Sequence, residues 1–208
     1  KSKGNILNPL EIIKKYGVDE LRYYLMKEVS HGSDGTISLK NLENCINSDL
    51  ANNYGNLCQR VFSFVINNCK NKVTKTKNAS DADKKLIAQT KVLTSDLRNL
   101  MDNQNLNNYI KSVINISFLT NKYINDEEPW KLKKNNIEKM NNILHLALEQ
   151  IAKISILLNP IIPEKSLKVL DALNINIDSR NLAFLDEKNI LGDDIKIKKL
   201  DILFKKIA

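Results

Sequence analysis

The chain has 208 residues, of which 42% are hydrophobic and 27% are charged, and its formal net charge is +8 at pH 7. That length and composition can bury a sizeable core, as one large domain or a small one plus a larger one, and no apolar run is long enough to span a bilayer. With no secretory signal pattern either, we expect a soluble, cytoplasmic protein without a membrane partner. The positive charge fits a polyanionic partner, but a lysine-rich composition alone gives the same excess.

Glycine and proline are scarce, with six and four residues, and this favours long uninterrupted helices. The first helix is expected to begin with Asn8 as its N-cap and Pro9 in its first turn, and to end at Gly17. A second helix follows over about 18–29. The segment 31–35 is glycine-rich but lacks the lysine and the spacing of a phosphate-binding loop, so we predict a turn there.

A long helix is predicted next, capped by Ser38 and continuing to about Cys69. One face of it is apolar at helical spacing and carries Leu50, Tyr54, Leu57, Val61 and Phe64. Another face holds Asn52, Asn56 and Arg60 at successive steps of four residues.

This column of two amides and a guanidinium suits the edges of unpaired bases, because its donors and acceptors point in fixed directions. The guanidinium can also stack flat on a ring. The alternative interpretation is a solvated face in a chain that uses asparagine and lysine throughout. Arg60 favours the functional interpretation, since the chain has only three other arginines.

The rest of the chain predicts a mainly α fold, a helical bundle joined by short polar loops. Residues 71–79 are polar and basic and are expected to form a loop, after which Ser80 caps the next helix ahead of Asp83. Further helices are predicted over about 81–101, 105–124, 136–158 and 163–173. The tail is mixed, and its alternating segment 195–198 is typical of a short strand or an extended arm.

Pro129 and Trp130 form a second candidate site, because Pro129 would fix the chain's single tryptophan in the first turn of a helix. A helix start leaves N–H donors free and can hold a ring half exposed, where it can stack on an unpaired base. The alternative is that Trp130 plugs the end of the bundle as ordinary core.

The sequence offers no enzyme active site, since it has no nucleophile with a plausible base and no HExxH or Walker motif. Cys45, Cys58 and Cys69 form no CxxC pair, and His31 and His145 could add little, so we predict no metal site. We expect the cysteines to be reduced packing residues and His145 to be a core or boundary residue.

Several stretches together resemble methionyl-tRNA synthetase, a class I enzyme. They are KSKGN at the start, NPLEIIKKYGVDELRYYLMKEV, the helix ending NSDLANNYGNLCQR, and EPW at 128–130. The resemblance implies that residues 1–36 form the end of the KMSKS loop and a stem-contact module. It implies that residues 37–175 form the anticodon-binding helical bundle and that 176–208 form a C-terminal extension.

By the same resemblance, Asn56 and Arg60 match the base-reading pair for the CAU anticodon, with Asn52 one turn before them. Pro129 and Trp130 match the dipeptide whose indole stacks on the first anticodon base. Lys1 and Ser2 match the last two residues of the signature loop, whose lysine stabilises the ATP phosphates.

The resemblance also implies a partner and a reaction, since the full enzyme uses ATP and Mg²⁺ to attach methionine to tRNA(Met). The catalytic domain is absent from this sequence, so the fragment is expected to hold no cofactor, to be inactive alone and to cooperate with that domain of the same chain. No dimerising domain is appended, which predicts a monomer. Two alternatives are the bundle of another class I synthetase and a helical protein-interaction domain.

Overall fold

The computed structural model describes residues 8–29, 37–76, 79–186 and 190–207, and most of these residues are helical. In chain order the helices are α1 (Pro9–Tyr16), α2 (Val18–Glu28), α3 (Leu39–Cys45), a π-helix (Ile46–Gly55), α4 (Asn56–Asn68), α5 (Asp81–Thr94), α6 (Leu97–Asp102), α7 (Leu106–Glu127), α8 (Pro129–Leu132), α9 (Ile137–Leu158) and α10 (Pro163–Ala172). Two 3₁₀ turns follow, Ile177–Ser179 and Leu182–Asp186. No helix in these ranges is both long and apolar enough to cross a membrane.

The predicted helix starts are confirmed, because each depends on a local hydrogen bond that the sequence displays. The Asn8 side chain accepts a hydrogen bond from the backbone N–H of Leu10 at 3.0 Å. Ser38 Oγ accepts one from the backbone N–H three residues later, at 3.1 Å. Ser80 and Asp83 form a complete capping box, each side chain accepting from the other's backbone N–H. The mainly α prediction is therefore confirmed.

The long helix predicted from Ser38 to about Cys69 is also confirmed in extent, since α3, the π-helix and α4 follow one another without a break. Its interior differs from the expectation of a regular α-helix. Ten residues, Ile46–Gly55, have π geometry, in which hydrogen bonds close over five residues.

The predicted loop over 71–79 is wrong in its first half, where β1 (Lys72–Thr74) pairs with β2 (Asp194–Lys196) in a two-stranded antiparallel sheet. Val73 stands opposite Ile195, and both side chains are buried. The sequence around Val73 is polar, and its partner is distant in the chain, so local pattern gave no signal. The strand expected near 195–198 is confirmed in position, shifted by one or two residues.

The helix predicted over 81–101 is divided at residues 95–96 into α5 and α6. The hydroxyl groups of Thr94 and Ser95 donate to carbonyls of the preceding turn, at 3.1 Å to Thr90 and 2.9 Å to Val92. Such bonds compete with the backbone ladder and favour a helix end.

The core is built on α7 and α9, which have 22 residues each and pack against each other more extensively than any other pair of described elements. Helix α5, the π-helix and α2 pack on α7, and α10 packs on α9. Tyr23 and Tyr24 of α2 are fully buried in the same core. The division of the chain at residues 36 and 175 stays a prediction.

Cys45, Cys58 and His145 are buried, as expected for packing residues. Burial raises the pKa of the Cys45 thiol to about 12, which keeps it protonated at neutral pH. His145 Nε2 lies 2.7 Å from the carbonyl oxygen of Gly192, and burial lowers the pKa of its imidazole. Within the described ranges, no three histidine, cysteine or acidic side chains come together as a metal site would require.

Candidate nucleic-acid interface

Trp130 is positioned by a sharp turn between α7 and α8. Glu128 adopts a left-handed conformation with φ of 45°, and its N–H donates to the Ile124 carbonyl at 3.0 Å, which ends α7. Pro129 follows as the first residue of α8 and is buried. Trp130 is 40% exposed, so the residue is partly packed and partly open to a ligand.

Arg60 reaches this indole from α4. Its guanidinium carbon lies 5.4 Å from the centroid of the Trp130 ring, within the range of a cation–π contact. Its Nη2 also donates to the side-chain oxygen of Asn125 at 2.7 Å. A guanidinium has five N–H donors, so this bond leaves others for a ligand.

A cleft of about 320 Å³ opens beside these side chains. Its polar lining comes from Arg60, Ser63, Asn67 and Asn68, and its apolar lining comes from Val61, Phe64, Ile124, Pro129, Trp130 and Leu144. Small-ligand sites have this character and a volume of about 300–1,000 Å³. We call it the indole cleft.

A lysine also stands close to the indole cleft. Lys133 Nζ donates to the side-chain oxygen of Asn68 at 2.8 Å, and the Asn68 amide donates to the Phe64 carbonyl at 3.0 Å. The lysine side chain is exposed, so it could also meet a phosphate of a nucleic acid lying in the cleft.

A second cleft, of about 180 Å³, lies between the long helix and the C-terminal segment. Its lining residues are Ala51, Asn52, Gly55, Asn56, Gln59, Ile202, Leu203 and Phe204. Both Asn52 and Asn56 are exposed, and neither side chain has a hydrogen-bond partner within the described residues. We call it the amide cleft, because it combines two unpaired amide side chains with apolar side chains.

The predicted site residues thus fall into two neighbouring groups. Arg60 shares the indole cleft with Pro129 and Trp130, although it lies far from both in the sequence, and Asn52 and Asn56 share the amide cleft. Asn56 and Arg60 are one helical turn apart and link the two. Lys1 and Ser2 lie outside the described residues.

Sequence reasoning missed two parts of this surface, Asn125 and the segment 202–204. Asn125 stands four residues before Pro129, and its spacing could have suggested a position near Trp130 on the last turn of α7. No local signal marks the apolar residues 202–204 as neighbours of Asn52.

Comparison with known proteins gives the class of the chain. Residues 1–62 match the family described as "tRNA synthetases class I (M)". Residues 73–208 match the family described as "Anticodon binding domain of methionyl tRNA ligase". A curated methionine–tRNA ligase of Brucella suis biovar 1 is 37% identical over 183 residues, and one of Rickettsia conorii is 38% identical over 210 residues.

Solved structures agree with these matches. The apo methionyl-tRNA synthetase of Mycobacterium tuberculosis has a TM-score of 0.91 and 28% identity, and the match covers 98% of this chain and 41% of that one. The same enzyme bound by methionyl-adenylate has a TM-score of 0.91 and 30% identity, with 99% and 41% covered.

The class is therefore that of the class I aminoacyl-tRNA synthetases, and the fold is that of their helical anticodon-binding part. More than half of the chain matches the second family, so the chain belongs to the methionyl-tRNA ligase family, and residues 73–208 match its anticodon-binding domain. This result favours that assignment over another class I synthetase and over a protein-interaction domain. The chain spans 36% of the Brucella ligase, with 88% of its own residues matched, and 41% of the Rickettsia ligase, with 99% matched.

Proposed function

We propose that this domain binds the anticodon loop of tRNA(Met) and recognises its CAU sequence. The observation that carries the proposal is the convergence of Arg60 and Trp130, from distant parts of the sequence, on one cleft lined by apolar side chains. A ring partly open to solvent next to a cation with unused donors is suited to a base that must be both stacked and identified.

In this proposal the first anticodon base stacks on the exposed part of the Trp130 indole. The Arg60 guanidinium donates to the acceptor atoms on the base edge, while the Asn52 and Asn56 amides offer both donors and acceptors. Cytosine carries an amino donor beside carbonyl and ring-nitrogen acceptors, so guanidinium and amide groups together can distinguish it from other bases. Lys133 is suited to a backbone phosphate and adds affinity without sequence preference.

We further propose that the domain acts within a longer chain, whose catalytic domain attaches methionine to the tRNA with ATP and Mg²⁺. Lys1 and Ser2 would then be the end of the loop that contacts the ATP phosphates. A monomeric state and a cytoplasmic location complete the proposal. Light scattering of the purified chain tests the first of these, and imaging of a tagged chain in its cell tests the second.

The test is binding of an RNA stem-loop that carries CAU, compared with one in which the C is replaced, at one near-physiological salt concentration. We expect the wild type to prefer CAU and Trp130→Ala to lose about tenfold or more in affinity for it, since stacking of one base is worth about 1–3 kcal/mol. Phe118→Ala is a matched control, because Phe118 on α7 is also a half-exposed aromatic residue but lines neither cleft. Equal binding of both loops by the wild type would contradict the proposal.

A further inference from the structure

We propose that the π-helix Ile46–Gly55 positions the side chains of Asn52 and Asn56 in line with Arg60. Gly55 is the residue whose lack of a side chain makes this helix geometry possible. The inference rests on the proposed function, because it concerns how the same surface is brought into register for RNA. Ten consecutive residues of π geometry lie directly before the helix that carries Arg60. The π-helix is rare in proteins, but where it occurs it is often at a functional site.

The π geometry changes the direction in which the column of polar side chains turns. A step of four residues exceeds one turn of an α-helix by about 40°, so Asn52 and Arg60 would be about 80° apart in a regular helix. A π-helix holds roughly one more residue per turn, so a step of four falls short of a turn. From Asn52 to Asn56 the side-chain direction therefore rotates about the helix axis in one sense, and from Asn56 to Arg60 it rotates in the other. The two rotations largely cancel, so the three side chains stay in line.

The buried face of the same helix supports this geometry. Four residues at successive steps of four have at most 2% of their surface exposed: Ile46, Leu50, Tyr54 and Cys58. Over the three steps of four from Ile46 to Cys58, a regular α-helix would rotate the buried stripe by about 120°. The stripe nevertheless stays buried throughout, which fits the slower winding of the π segment, and Asn52 and Asn56 stay exposed.

Gly55 makes room for this backbone path. A Cβ at Gly55 would lie 2.8 Å from the carbonyl oxygen of Leu50, five residues earlier, and 3.1 Å from Cδ2 of Phe204. Its φ is −62°, an ordinary helical value, so space and not backbone angle requires glycine here. Phe204 also packs against Tyr54, with 6.2 Å between the ring centroids, and it lines the amide cleft.

Polar anchors hold the segment from the side of α7. Asn53 is 2% exposed, and its side-chain oxygen accepts from Ser117 Oγ at 2.9 Å and from the Asn121 amide at 3.0 Å. A buried amide with these partners resists rotation of the helix, because turning it would leave its polar atoms unpaired.

Two further anchors hold the segment from α2 and from the C-terminal segment. Asp49 accepts from Tyr23 OH at 2.7 Å, and the Asn47 side chain forms a pair of hydrogen bonds with the backbone of Ile207, at 2.8 and 2.9 Å. The π-helix is therefore fixed on three sides, while the side carrying Asn52 is open. This is the arrangement expected of a support for a binding surface.

The experiment compares the CAU stem-loop with its C-replaced counterpart for wild type and Gly55→Ala in the whole chain. The added methyl group favours α spacing, which carries Asn52 away from the column, so we expect the preference for CAU to fall about tenfold. We expect affinity for the C-replaced loop to change less than about twofold. A purely structural role for Gly55 would lower both affinities alike.

Asn52→Ala and the double variant Gly55→Ala/Asn52→Ala show whether Gly55 acts through the Asn52 amide. The double variant should lose no more preference than the worse single variant, whereas additive losses would overturn the proposal. Leu86→Ala is the stability control, since Leu86 is buried on α5 and lines neither cleft.

Two results separate this inference from the proposed function. If Trp130→Ala abolishes the preference and a folded Gly55→Ala keeps it, the inference alone is wrong. If the wild type shows no preference, both are wrong. Should Gly55→Ala not fold, Asn53→Ala replaces it, because it removes the α7 anchor without adding atoms, and an unchanged preference in that variant overturns the inference.

Discussion

The Arg60 guanidinium donates a 2.7 Å hydrogen bond to the side-chain oxygen of Asn125, and this bond joins α4 to the last turn of α7. It fixes the edge of a planar group whose carbon lies 5.4 Å from the Trp130 ring centroid. The neutral amide orients the guanidinium and leaves its charge uncompensated. Asn125 therefore controls how Arg60 is presented to a ligand.

We predict that Asn125→Asp weakens binding of the CAU stem-loop by about tenfold, or about 1.4 kcal/mol. The carboxylate would pair with Arg60 and also repel the RNA phosphates. Titration of the RNA at fixed salt measures the effect. Asn125→Ala is the matched variant, which removes the bond without adding charge and should cost less. Equal losses in the two variants would show that charge at this position is unimportant.

We predict that Arg60→Lys abolishes most of the preference for CAU while the salt dependence of binding stays the same. Lysine keeps the charge, which sets the number of counterions released. The lysine side chain lacks the planar guanidinium, which can face the indole and donate to Asn125 at the same time. Binding at several salt concentrations tests both parts. Arg98→Lys, at an exposed position on α6, is the control and should change neither. A lysine variant that still prefers CAU would contradict the role given to Arg60.

We predict that Glu20→Gln stabilises the domain increasingly as the pH rises above the ordinary carboxyl pKa of 4.5. Burial raises the pKa of Glu20, and its Oε2 has no hydrogen-bond partner in the described part of the chain. Lys165 Nζ lies 3.7 Å from Oε1 and offsets only part of that cost.

The sign follows from proton linkage. The folded state holds the Glu20 proton more tightly than the unfolded state, so this group's contribution to stability is present at low pH and is lost as the pH rises through the raised pKa. Urea unfolding of both proteins across this pH range measures the difference in the free energy of unfolding.

Glu164→Gln is the control of opposite sign. The hydrogen bond from Lys168 lowers the pKa of Glu164, so its small contribution is present above the ordinary pKa and is lost as the pH falls. If Glu20→Gln shows no pH-dependent gain, the buried carboxyl is compensated by interactions other than Lys165.

Features that depend on neighbouring residues could be predicted from the sequence. The caps at Asn8, Ser38 and Ser80 are of this kind, since each closes its hydrogen bond within three residues. The first-turn position of Trp130 was likewise set by Pro129 next to it.

Features that depend on distant partners could not be predicted. The strand around Val73 exists because Ile195 pairs with it, and the π-helix is maintained by contacts from α2, α7 and the C-terminal segment. The pattern of buried residues at steps of four was present in the sequence. It became interpretable only once their burial was known.

The pairing of β1 with β2 also bears on the order in which the domain folds. These two strands are separated by every helix from α5 to α10, and closing so long a loop costs chain entropy before any contact compensates it. We expect the helices to form early because their contacts are local, and the C-terminal segment is synthesised after all of them. Phe204 can reach Gly55 only at that stage, so we expect the surface that carries Asn52 and Asn56 to be completed after the helical bundle.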